Sequence, residues 1–424
     1  MCKSIAKWWQ PADFVSRPTG RFVELDWLRI LAFGLLVFYH TGMLYTQNWG
    51  FHFKSAYLST EIENLMLLLS PWRMGLIWFI SGAALSCLLQ KSPLPQFLMS
   101  RTVKILLPLL VGVWFVVPIQ LYAQMQQEVG LSLSYIEFYI AFFDLSHPLF
   151  AQYQAGIWPH VDVNHLWYLR SLWQFTLLLV LMIPVLQSRW LHKGIARFLN
   201  LPVFWVYLGL LVPLCVLKLS WPSDTFRYPM GFIFLLYGFL LVHHRAFFAS
   251  LAQHWHILLG LFVLGYLGVV WGYQSIWLDS QNLQWQITSM DMFYTAQRLL
   301  GVMTMLALAM RFLTRTHPIL NKLNGWVFPF YIFHQSVIIG LAYYFSPLQL
   351  GPWLEPTLII VMTFGLCALA CWGLSYVALL RPLFGMKIGK VESTLKHKEP
   401  LLFHAKFRKW IGIIVVIPIA IQIL

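Results

Sequence analysis

Apolar residues fall in long blocks separated by short polar stretches. Blocks of about 17–25 residues, the length of a helix that crosses a bilayer, lie near 25–46, 64–89, 105–124, 166–186, 202–219, 230–249, 256–277, 292–312, 325–345 and 354–380. These ten blocks predict an all-α polytopic membrane protein of about ten transmembrane helices. A last run, 410–424, has only 15 residues and is a possible short eleventh. The pattern divides the chain into a cytoplasmic N-terminal segment at 1–24, a membrane domain at 25–385, and a basic cytoplasmic tail at 386–424 with a short apolar C-terminal segment.

Composition agrees. Of 424 residues, 59% are hydrophobic and 10% charged, whereas a soluble domain carries about 25% charged residues. That polar surface is too small to cover a soluble core. The five cysteines, Cys2, Cys87, Cys215, Cys367 and Cys371, form no CxxC or Cys/His ligand spacing. Neither a zinc site nor a disulfide framework is expected, and Cys367 and Cys371 read as small packing residues.

The net charge of +14 would suit a nucleic-acid binder, but its distribution points elsewhere. Of the 29 Lys and Arg, 22 fall in segments that alternate to one side of the ten spans. Lys54, Lys218 and Arg227 lie on the other side, together with ten of the 15 acids, and Arg29, Arg73, Arg170 and Arg298 lie within spans. The excess of basic loops predicts that both termini face the cytoplasm. Asp13 and Pro18 precede the first apolar run and no small-residue cleavage site follows it, so no cleavable signal peptide is expected. The halves show no internal repeat, which counts against repeat-built transporters. The outer segment at 125–165 has no Lys or Arg but holds Glu128, Glu137, Asp144, His147, His160 and Asp162. It is either a passive result of the charge rule or the roof of a site for a polar substrate.

An Arg at a helix centre costs about 2.5–3.5 kcal/mol on insertion scales, so ionisable residues in spans are functional candidates. In the first span, Asp26, Arg29 and His40 share one helical face, since Arg29 and His40 differ by roughly 20° after whole turns and lie about 16 Å apart along the axis. Asp26–Arg29 can also be an i,i+3 pair that neutralises a helix end, and His40 a core histidine bonded to a carbonyl. Imidazole suits proton transfer near neutral pH. Guanidinium suits phosphate or carboxylate. Arg73 lies in the outer half of the second span, where it can instead snorkel. Tyr331 and His334 sit at i and i+3 in the ninth. His165 and Trp167 open the fourth, a pattern that also serves as an aromatic anchor. Trp49 and His52 follow the first span outside, and Arg101 and Lys104 lead into the third, where ordinary positive-inside charge is expected too.

These residues resemble the family-3 membrane acyltransferases. Arg29, ten residues, then His40 is similar to the family's R-x10-H element. Phe79-Ile80-Ser81-Gly82, Arg101-x-x-Lys104-x-x-x-Pro108, His165-Leu166-Trp167-Tyr168-Leu169 and Tyr331-Ile332-Phe333-His334 resemble further family elements in the same order across 21–380. Trp49 to Ser55 and Trp72-Arg73-Met74 look most like the glucan biosynthesis protein C branch, thought to succinylate a periplasmic glucan. Tyr168 in place of Phe, Lys104 in place of Arg, and the 410–424 run depart from the family pattern.

The resemblance implies an O-acyltransferase of the bacterial inner membrane. It would move an acyl group, succinyl or acetyl, from a cytoplasmic acyl-CoA donor to a hydroxyl of an extracytoplasmic glycan. Donor-binding would fall to Arg29, Arg101 and Lys104. Catalytic candidates are His40, Arg29, Asp26, Arg73, Tyr331 and His334, and acceptor-binding candidates are His165, Trp167, Trp49 and His52. His40 would act as general base or would carry the acyl group itself. Arg73 or Tyr331 would donate to the oxyanion, and Arg73 or Lys54 would face a succinyl carboxylate. No metal and no resident cofactor is expected; the partners are the donor, the glycan and the bilayer. A transporter or flippase for an anionic or glycan substrate, and a non-catalytic partner in glycan assembly, are the rival readings.

Overall fold

The computed structural model describes residues 22–144, 146–150, 163–221, 224–279 and 282–387. Both the tail run at 410–424 and the N-terminal segment up to residue 21 lie outside them, as do His160 and Asp162. Among the described residues the chain is helical and has no strand; its one bridge joins Thr46 to Ser59.

The helices are α1 (Val23–Tyr45), α2 (Thr60–Leu69), α3 (Arg73–Leu89), α4 (Leu94–Phe115), α5 (Pro118–Val129), α6 (Tyr135–Ala141), α7 (Trp167–Leu186), α8 (Arg189–Leu199), α9 (Val203–Ser220), α10 (Arg227–Leu241), α11 (Arg245–Gln253), α12 (Trp255–Gly272), α13 (Gln284–Phe312), α14 (Ile319–Phe345) and α15 (Leu354–Tyr376). Nine helical stretches are long and apolar enough to cross a membrane, and α10 with α11 makes up to ten. Mid-helix Leu264 and Val361 are 65% and 63% exposed, as expected where the solvent is lipid.

One expected span is not a single straight helix. The block at 230–249 bends by 105° between α10 and α11. His243, His244 and Arg245 interrupt the apolar run there, and the His243 ring lies 2.7 Å from Ser86 Oγ and 3.3 Å from Gln90 Nε2. Beyond the bend, α11 buries only Phe247, Phe248 and Leu251, so it is a one-sided amphipathic helix.

The chain forms two compact units. The first holds residues through Ala32, Glu63–Leu94 and Thr176–Leu320. Its closest helix pair is α3 with α10. A β-carbon on Gly82 would sit 1.8 Å from the Leu235 carbonyl oxygen, and one on Gly238 1.8 Å from that of Phe79. The two glycines therefore let backbone lie on backbone, as small residues do in membrane bundles. Single polar side chains then tie neighbouring helices to main-chain carbonyls. Tyr207 Oη donates to Ala296 O at 2.8 Å, Tyr237 Oη to Leu210 O at 2.6 Å and Gln297 Nε2 to Phe262 O at 2.9 Å.

The second unit holds Phe33–Ile62, Pro95–Phe175 and the chain from Asn321 onward. Val37, Leu44, Tyr45, Phe53, Ala123, Ile338, Ile339, Ala342 and Ile359 make an apolar core. The segment between α1 and α2 folds back on the end of α1. Ser55 N and Ser59 N donate to the Leu44 and Tyr45 carbonyls, and Lys54 Nζ donates to Met43 O at 2.9 Å and Thr46 O at 2.7 Å. A cation on these last carbonyls is the favoured cap of a helix C-terminus. The buried Glu355 of α15 holds the same segment, accepting from Tyr45 Oη at 2.9 Å and Ser55 Oγ at 2.7 Å.

Candidate active site

Three imidazoles converge inside the second unit. His40 of α1 and His334 of α14 have ring centroids 5.2 Å apart, and His165, just before α7, lies 5.5 Å from His334. Helical register produces the cluster. His40 lies five residues before the end of α1 and His334 in the middle of α14, while the short turn at Asn164–Leu166 delivers His165.

The surrounding amides define the tautomers. The His165 Nε2 lies 2.9 Å from the Ile332 carbonyl, so that nitrogen carries the proton and donates. Its Nδ1 accepts from Gln120 Nε2 at 3.0 Å. Both ring nitrogens are thus engaged in a buried residue. His334 Nδ1 lies 2.6 Å from Tyr331 O and must donate to it, which leaves Nε2 as the basic nitrogen of the neutral ring. Tyr331 Oη in turn donates to the His165 carbonyl. That bond ties Tyr331 to the backbone of His165.

Gln120 of α5 is the hub. It also donates to Ser336 Oγ at 2.6 Å, and its Oε1 accepts from Gln335 Nε2 at 3.0 Å. Gln120, Gln335 and Ser336 are all buried. Buried amides must be satisfied in a low-dielectric interior, and here they are satisfied mutually. The sequence reading passed over these residues, although a glutamine inside the 105–124 block and a Gln-Ser pair inside the 325–345 block are visible signals.

The segment between α1 and α2 covers this cluster. Phe51 stacks on the His40 ring, with centroids 6.0 Å apart and planes 18° from parallel. His52 Nδ1 lies 3.1 Å from Gln124 Oε1, and Lys54 and Gln127 of α5 exchange backbone–amide hydrogen bonds at 2.8 and 2.7 Å. Burial holds the His52 imidazole below its ordinary range. Trp49 of this segment and Trp167 of α7 are half-buried.

The remaining candidates make other contacts. Lys54 caps α1. Arg101 and Lys104 lie in the N-terminal half of α4 in the second unit, and Lys387 joins Lys104 as a charged neighbour. That third cation was not anticipated, because it lies far along the chain. Asp26, Arg29 and Arg73 belong to the first unit. Arg29 Nη1 meets Asp26 Oδ1 at 3.4 Å, the i,i+3 pair, and Arg73 opens α3. Among the described residues, no group of three or more His, Cys, Asp or Glu is placed to hold a metal ion.

A family model described as an acyltransferase domain matches residues 22–372. No curated protein and no solved structure matches the chain.

Proposed function

Because the chain belongs to this acyltransferase family, membrane acyltransferase family 3, we propose that it moves a succinyl or acetyl group from cytoplasmic acyl-CoA to a hydroxyl of an extracytoplasmic glycan. The glucan biosynthesis protein C likeness of Trp49 to Ser55 favours a periplasmic glucan, and with it the bacterial inner membrane with the N-terminus in the cytoplasm. The observation that carries the reading is the cluster of His40, His334 and His165 inside the second unit. Ionisable side chains within membrane spans are costly and mark function by default.

In the proposed reaction, His40 takes the proton of a glycan hydroxyl whose oxygen attacks the thioester carbonyl carbon. The C–O bond forms, the C–S bond breaks, and the proton passes to the departing thiolate. His334, with Nε2 as its basic nitrogen, can relay that proton. Alternatively His40 itself takes the acyl group and passes it on. His165 and Tyr331 keep the cluster in place, and Phe51 limits how an acceptor reaches His40. The cations Arg101, Lys104 and Lys387 suit the donor phosphates, and Arg29 is assigned to the donor on the family motif.

The test is CoA release by the purified protein in proteoliposomes, with acetyl-CoA and succinyl-CoA offered separately and glucan supplied. A positioned base contributes about 10²–10⁴-fold, so His40→Ala should lose that much while its thermal unfolding stays like wild type. Full turnover in folded His40→Ala protein removes the reading. Silence of the wild type with both donors favours a transporter.

A further inference from the structure

The turn that delivers His165 is built on an unusual backbone. Asn164 has φ 51°, and among the described residues Gln349 is the one other non-glycine with positive φ. Left-handed backbone is unfavourable for residues with a β-carbon, and asparagine is among those that tolerate it best. Such conformations persist where the surroundings hold them, and they gather at working sites. Gln349 is exposed, whereas Asn164 is half-buried and adjoins the imidazole cluster.

The conformation has a structural consequence. Asn164 and His165 are neighbours in sequence, yet both side chains reach one pair of amides. Gln335 Nε2 lies 3.4 Å from Asn164 Oδ1 and 3.0 Å from Gln120 Oε1, and Gln120 Nε2 lies 3.0 Å from His165 Nδ1. These contacts close a ring, from Asn164 through Gln335 and Gln120 to His165 and back along the main chain. In an extended backbone successive side chains point to opposite faces, which would turn one of the two away.

Asn164 also faces the covering segment. Gln124 and the Asn164 side chain are hydrogen-bonding neighbours of His52. Gln124 Nε2 donates to Glu128 Oε1 at 2.9 Å, so its Oε1 takes the Nδ1 proton of His52. The other ring nitrogen of neutral His52, Nε2, is then an acceptor. An amide supplies both an acceptor for Gln335 and a donor for such a nitrogen. The His52 ring centroid lies 5.4 Å from that of Phe51, which stacks on His40.

We infer that Asn164 is a positioning residue for the acceptor. Its left-handed backbone aims His165, and its side chain ties the covering segment, through His52, to the amides that hold His165. Asn164 acts through His52 and Phe51, which shape the approach of a glycan hydroxyl to His40. Its role in turnover rests on the transfer reading. Arg101, Lys104 and Lys387 stand outside this ring of contacts, so the acceptor and not the donor should feel its loss.

The experiment compares two variants of the full-length protein. Asn164→Gly keeps the backbone, since glycine adopts positive φ without strain, and removes the side chain. Asn164→Ala removes the side chain and strains the backbone as well. The glycine variant should melt close to wild type and the alanine variant clearly lower. In proteoliposomes, Asn164→Gly should raise the KM for glucan about three- to tenfold, the worth of one hydrogen bond, and leave the KM for the acyl-CoA unchanged. Backbone hydrogen exchange over the segment between α1 and α2 should quicken in the same variant. His52→Ala cuts the link from its other end and should quicken exchange at the Asn164–Leu166 turn, a readout that survives if Asn164→Gly does not fold. An unchanged glucan KM, a donor KM that rises in step, equal melting of the two variants, or unchanged exchange in either segment overturns the inference. The exchange and melting arms consume no thioester, so a wild type silent in CoA release removes the transfer reading and leaves them to decide the link.

Discussion

The first unit brings α3 and α10 together by deleting side chains. Gly82 and Gly238 place each helix against a carbonyl of the other, and single tyrosines and glutamines bond neighbouring backbones. The second unit does the reverse. It fills its interior with amides and imidazoles and satisfies them against one another through Gln120. Backbone packing asks only for shape. A polar network asks for every donor and acceptor to be in register, which also holds His165 and its neighbours in one tautomer and orientation. The difference sets a unit built on shape beside one whose stability depends on where protons sit.

That contrast can be broken by substitution. Gln120→Leu should have the largest effect, since it strands His165 Nδ1, Ser336 and Gln335. Each stranded group costs about 1–3 kcal/mol, and CoA release should fall with stability. Gly238→Ala should come next, at about 1–3 kcal/mol of overpacking, read by thermal unfolding in detergent. If the two units divide labour as described, Gly238→Ala should spare turnover per folded molecule, and Gln120→Leu should not. Equal loss of turnover per folded molecule in both would erase the distinction.

Lys54→Met should be milder. It removes the ammonium from the end of α1 and should cost about 1 kcal/mol, with the change in hydrogen exchange confined to the segment between α1 and α2. The smallest effect concerns pH. Burial lowers the folded His52 value below 6.5, the unfolded reference, so the unfolded chain binds the proton more tightly. The stabilising contribution of neutral His52 is therefore complete above pH 6.5 and declines as pH falls from there toward the lowered folded value. His52→Gln should flatten that part of a plot of melting temperature against pH; an unchanged slope would assign it to another group.

Much of this architecture was legible along the chain. Ten apolar blocks gave ten helical regions, because in a bilayer every backbone polar group must be satisfied within its own segment. His40 and His334 stood out because ionisable residues are rare in such blocks. The bend after α10 was written in His243, His244 and Arg245, but hydropathy averaged over the block smoothed it away. For Lys54 and Tyr331 the sequence shows that a donor exists, and only the fold shows which carbonyls it meets.

Sequence alone determined the helical membrane class, the positions of the apolar blocks and the set of residues able to do acid–base work, since these follow from local composition against a low-dielectric solvent. Only tertiary structure decided that His165 is held by Gln120 and Ile332 and that Phe51 lies over His40. Those outcomes depend on pairs up to 167 positions apart, His165 with Ile332. Hydrogen bonds and ring contacts act over a few ångströms, and only the folded chain brings such residues within that range.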